Sequence, residues 1–189
     1  MLLLSFSQIG LAGTPTETLE LAVNNLITIA ADKDADDQVK KIKLTQVLSN
    51  EVDFEAVSKR VVSKTWKKAN DEQKKEFKQR FLGIMTDTYF VLLKSYSNEK
   101  VLFLKEQLKK TKRSEYAIVD TQIISGNKKI PVRYRMIKVG NTWKIYDFIP
   151  EGISLISTYK KNYASILSKS GMQGLLVEMS KSKNKDKQD

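Results

Sequence analysis

Side chains able to do covalent or metal chemistry are scarce in this sequence. The 189 residues include no His and no Cys. That removes zinc sites of the HExxH kind, Ser-His-Asp triads, cysteine nucleophiles and iron–sulfur ligation. Two polar groups stand out near the end of the last apolar run, Asp147 beside Tyr146 and Ser154 two residues after Gly152. Neither has a companion, since no general base accompanies Ser154 and no second carboxylate is spaced near Asp147. A structural role accounts better for both: Ser154 caps a helix and Asp147 accepts hydrogen bonds at a strand end. The acidic run Asp32-Lys33-Asp34-Ala35-Asp36-Asp37 resembles the start of a calcium loop, but Asp37 stands at the glycine position and Lys43 at the bidentate glutamate position. It reads as a solvated loop. The eight glycines fit neither GxGxxG nor P-loop spacing, so no nucleotide cradle is visible. The chain reads as a protein that is not an enzyme and needs no cofactor.

Charge suggests binding instead. Lys and Arg number 33 against 22 Asp and Glu, a formal net charge of +11. Lys105 to Arg113 concentrates this in one segment. A basic module that binds nucleic acid or protein is therefore the alternative to any other function. Against nucleic acid, the basic segment lacks interleaved aromatics for base stacking, and no recognition-helix or RNP-like signature appears. Attraction to anionic membrane surfaces or acidic partner patches is the more natural use of the charge, at about 1 kcal/mol per cation near a surface.

The elements that would position a binding site follow from periodicity. A length of 189 residues predicts one domain. Residues 1–13 (MLLLSFSQIGLAG) are apolar and end in small residues, with Gly10-Leu11-Ala12 in the style of a signal-peptidase site, which predicts export. Residues 14–179 form the folded domain, and the polar segment 180–189 is expected to be a disordered basic tail. Leu19, Ala22, Val23, Leu26, Ile27 and Ala30 fall on one face of a helix after Pro15, with further helical runs over about 36–48 and 53–65. Asn70 and Gln73 make a capping-box pattern that opens a long helix, with Phe77, Phe81, Ile84, Met85, Thr88 and Leu92 on one stripe and Leu82, Tyr89, Leu93 and Tyr96 beside it. Strands follow at 101–104, 116–124, 130–139 and 142–149, the third placing Ile130, Val132, Tyr134 and Met136 on one face. A final helix begins after Pro150-Glu151-Gly152, carries Ile153, Ile156 and Tyr159, and stops near Gly171; a short apolar piece follows. This pattern predicts an α+β fold, several helices packed on one face of a curved antiparallel sheet of about four strands.

The ordered set of motifs resembles the MlaC family of periplasmic phospholipid-shuttle proteins, also described as toluene-tolerance auxiliary proteins. It runs from Phe54-Glu55 through Trp66-Lys67-Lys68-Ala69, Glu72-Gln73, Phe77, Phe81 and Thr88-Tyr89. Then come Val132-Arg133-Tyr134-Arg135, Trp143-Lys144-Ile145-Tyr146-Asp147, Glu151-Gly152-Ile153-Ser154-Leu155-Ile156, Tyr159 and Gly171-Met172-Gln173-Gly174-Leu175. Departures fall at Val62-Ser63, Arg133, Lys160 and Tyr163, and only Arg133 changes polarity. The resemblance implies a single domain enclosing the acyl tails of a phospholipid in an apolar cavity. It also implies a periplasmic location in a Gram-negative bacterium, transient proximity to membranes and a monomeric state. The partners implied are an outer-membrane lipoprotein–porin complex and an inner-membrane ABC-transporter assembly of MCE type, without nucleic acid.

Carrying such a lipid through water is demanding. Two tails hold roughly 30 CH₂ groups at about 0.8 kcal/mol each, so exposing them costs on the order of 20 kcal/mol. Only an enclosed apolar cavity offsets that, with the head group left in water. The side chains expected to line it are Phe54, Phe77, Phe81, Leu82, Met85, Tyr89, Val132, Tyr134, Met136, Tyr146, Phe148, Ile153, Ile156 and Tyr159, between the long helix and the inner sheet face. The competing reading is that the same stripes fill a dry core.

Overall fold

The chain is described by a computed structural model that covers residues 13–185. The candidate cleavage site at 10–12 lies outside the described residues. Five helices precede the sheet: α1 (Pro15–Ala31), α2 (Asp37–Glu51), α3 (Phe54–Val61), α4 (Lys64–Lys68) and α5 (Asp71–Lys94). Four strands follow, β1 (Lys100–Lys110), β2 (Glu115–Ser125), β3 (Lys128–Val139) and β4 (Thr142–Pro150), and α6 (Leu155–Lys185) closes the domain. The strands pair in sequence order as an antiparallel meander, joined at Gly126 and Gly140, both with left-handed φ.

Local chemistry sets the helix starts. The Asn70 side chain accepts from Gln73 N–H at 2.8 Å, and the Gln73 side chain accepts from Asn70 N–H at 3.2 Å, completing the expected box. Asp53 caps α3 through Ala56 N–H at 2.9 Å, and Asp36 caps α2 through Val39 N–H at 2.8 Å. Asp32, in the calcium-like run, turns back onto the N–H groups of Asp34 and Ala35 and onto Lys43 Nζ at 3.0 Å. The lysine ammonium is the main reason its carboxyl sits below the usual range.

Several boundaries differ from the sequence expectation. The helix expected over 53–65 is two, because Ser63 breaks it with φ 50°. Strand β1 continues through Lys105–Lys110, a segment expected to be a turn; its lysines sit on an edge strand, where charge is tolerated and discourages aggregation. Helix α6 passes through a non-helical Gly171 (φ 60°, ψ −157°) and on to Lys185, over the first part of the segment expected to be disordered. That backbone region is open essentially to Gly alone. The break turns Met172, Leu175, Leu176 and Met179 into the main core.

Two apolar clusters hold the domain. The larger joins α2 to α6 around Phe77 and Phe81, whose rings stack at 5.5 Å, with Tyr159 edge-on to Phe81 at 4.8 Å and Trp66 edge-on to Phe77 at 6.4 Å. The smaller packs Leu19 and Val23 of α1 onto Ala117, Val119, Met136 and Trp143 of the sheet. Here α1 covers the face that alternation in β3 predicts to be buried.

Candidate apolar cavity

Between these clusters a cavity of about 320 Å³ remains open. Its walls come from five directions. Leu26, Ile27 and Ala30 of α1 form one side, Leu44 and Leu48 of α2 another, and Met85, Tyr89, Leu92 and Leu93 of α5 a third. The sheet contributes Val101, Ile123, Tyr134, Ile145 and Phe148, and Leu155 closes the end at α6. Ser95, Tyr96 and Glu99 lie where the wall meets solvent, beside Leu92, which is 58% exposed.

Helix α5 is divided by depth. Its first half puts Phe77 and Phe81 into the dry aromatic core, and its second half lines the cavity. A slip in register explains the sheet side. A bulge falls between Arg135 and Met136, so Met136 faces Ile145 while Tyr134 faces Phe148 across β3 and β4. Simple alternation would have turned Ile145 and Phe148 to opposite faces; the bulge brings both to one wall.

Charge is almost absent inside. Burial pushes the Tyr89 and Tyr134 hydroxyls well above the ordinary tyrosine range, so both rings stay neutral. Their rings meet Phe148 edge-on at 5.7 and 5.3 Å. At the rim, Glu99 is held below the ordinary carboxylate range, first by the Ser97 N–H at 2.7 Å. Asp147, 3% exposed, is the one carboxylate at the inner end. It is fully engaged, accepting from Ser154 Oγ at 2.8 Å, Ile156 N–H at 3.2 Å and Arg135 Nη1 at 3.4 Å. Ser154 in turn accepts from Ser157 N–H at 3.1 Å, so the pair ties the start of α6 to β4. Replacing Ser154 by Ala removes this cap and one donor to Asp147. The expected cost is about 1 kcal/mol, seen as a fall of about 2–4 °C in Tm.

The candidate residues divide accordingly. Met85, Tyr89, Tyr134, Tyr146 and Phe148 stand on the cavity wall. Phe77, Phe81, Val132, Met136 and Ile156 are buried off the wall, in close packing. Phe54, Leu82 and Tyr159 are half-buried against the aromatic core. Ile153 is 65% exposed, because Glu151 and Gly152 take left-handed φ and α6 begins only at Leu155. Not anticipated were the walls from α1 and α2. The signal was present as the stripe Leu26, Ile27, Ala30, but it has the same form as a core stripe.

Comparison with known proteins agrees with this architecture. The chain is 27% identical over 185 residues to the intermembrane phospholipid transport system binding protein MlaC of Haemophilus influenzae, covering 89% of this chain and 86% of that one. It is 25% identical over 130 residues to the toluene tolerance protein ttg2D of Pseudomonas putida, covering 68% of this chain and 59% of the relative. The fold matches a phospholipid-binding protein from Ralstonia solanacearum, solved in complex with a phospholipid, with a TM-score of 0.77 at 24% identity over 89% of this chain and 96% of that one. The MlaC protein family model matches residues 20–181, and the chain belongs to that family.

Proposed function

We propose that this protein is a periplasmic phospholipid carrier, not an enzyme, that holds the acyl part of a lipid in the cavity between α1, α2, α5 and the sheet. The carrying observation is the cavity itself, about 320 Å³ with a wall that is apolar save at its two ends. Close-packed interiors hold few voids larger than a water molecule, and ligand pockets run from roughly 300 to 1,000 Å³. A volume of that order, apolar and aromatic-lined, suits hydrocarbon and suits no charged ligand. Kinship to a phospholipid transport binding protein supports lipid as the occupant.

In this role the chain moves lipid between an outer-membrane lipoprotein–porin complex and an inner-membrane ABC-transporter complex of MCE type, maintaining outer-membrane lipid asymmetry. Among the described residues no helix is long and apolar enough to cross a membrane. The test is transfer between donor and acceptor vesicles carrying a self-quenched fluorescent phospholipid. Substoichiometric protein should raise the transfer rate at least tenfold over spontaneous exchange. An unchanged rate, with lipid still bound to the protein, would leave a storage protein rather than a shuttle.

A further inference from the structure

Tyr146 also borders a second cleft, more polar than the apolar cavity but with Leu108, Ala117 and Ile118 in its wall. Its volume is about 580 Å³. Arg60 at the end of α3, Lys109 of β1 and Tyr116 of β2 wall it together with Tyr146. The Arg60 guanidinium lies over the Tyr146 ring, 4.2 Å from its centre, and Tyr116 meets that ring edge-on at 6.0 Å.

Arg60 has unused capacity. A guanidinium has five N–H donors, and the hydrogen bond recorded for this one runs from Nη1 to the Ala56 carbonyl at 2.8 Å. Arg80, Arg133 and Arg135 each have a carboxylate partner, Glu76, Asp120 and Asp147. Among the described residues none pairs with Arg60. Stacking fixes the plane of the group without consuming its donors, which is the preorganisation that a bidentate oxyanion contact rewards. Lys109 is likewise without a carboxylate partner among the described residues, whereas its neighbour Lys110 pairs with Glu115 at 3.0 Å.

We propose that the cleft formed by Arg60, Lys109, Tyr116 and Tyr146 is an anion site for a phosphate group, adjoining the apolar cavity through the shared Tyr146. The phosphate is either a free ion or the diester of a glycerophospholipid head. This inference does not depend on lipid carriage, because inorganic phosphate alone is a sufficient probe.

The experiment is titration of the isotopically labelled protein, at fixed ionic strength, with inorganic phosphate in one arm and glycerophosphorylethanolamine in the other, read by amide and guanidinium chemical shifts. Saturable shifts centred on Arg60, Tyr116 and Tyr146 are expected in at least one arm. Saturation by phosphate identifies a free-ion site and saturation by the diester alone a head-group site; either supports the proposal. Arg60→Gln should weaken binding at least tenfold, the loss of one charge-assisted contact. Lys109→Gln lies on an exposed stretch of β1 and leaves the stack intact; it should weaken binding several-fold without moving Tm. Arg113→Gln, outside the cleft, should change nothing. Linear, unsaturated shifts spread over many lysines in both arms, or equal affinity in Arg60→Gln and the parent, would overturn the site. Tail occupancy of the cavity, measured in parallel, is independent of this result.

Discussion

Ala30→Trp is expected to empty the protein of lipid while leaving it folded. Ala30 stands on the α1 wall of the cavity, and its methyl side chain faces the open volume of about 320 Å³. An indole there takes space the acyl chains require, yet its own burial in an apolar void is favourable at about 25 cal/mol per Å². Lipid recovered with the protein should fall at least tenfold, and Tm should stay within about 2 °C of the parent. Val132→Trp makes the contrast. Val132 is 2% exposed and off the cavity wall, opposite Thr121 in the sheet. Overpacking there should cost about 1–3 kcal/mol. Equal effects from the two substitutions on loading and Tm would show that the void is not the binding volume.

The second large effect is expected in the aromatic core. Phe81 is fully buried against Phe54, Phe77, Tyr159 and Tyr163. Truncation to Ala removes those ring contacts and leaves a hole that α3, α5 and α6 cannot jointly close. The cost is about 3–5 kcal/mol. For a chain of this size that lowers Tm by about 10 °C, measured by calorimetry or circular dichroism. Below the transition, lipid loading should be retained, because the ring packs behind the wall. Loss of lipid from a protein of near-parental Tm would move Phe81 from core to site.

How much of this was legible in the sequence depends on the element. The capping box at Asn70 and Gln73, the meander turns at Gly126 and Gly140 and the buried face of β3 follow from short-range rules, and those features stand where the pattern puts them. Periodicity marks a face as apolar without saying what the face meets. Phe81 and Met85 share one stripe of α5, yet one packs against four rings and the other borders the void. Only the tertiary placement of α1 and α2 decides between them. The bulge at Arg135 is equally silent, since a phase slip between strands leaves no mark in either strand alone. Ser63 breaks a helix without a glycine or proline to announce it. Arg60 and Tyr146 are 86 positions apart by their numbers, and their stack could be read only from the folded chain.

The most direct test of the central claim is the lipid content of the protein itself. The full 189-residue chain is produced, purified without detergent, extracted with organic solvent and analysed by mass spectrometry against its own molar concentration. Near-stoichiometric phospholipid is the predicted result, as acyl chains held against an apolar wall should not be released to water. Less than about one lipid per ten proteins, from protein that is folded by its thermal transition, would contradict the account and return the cavity to the status of an empty packing void.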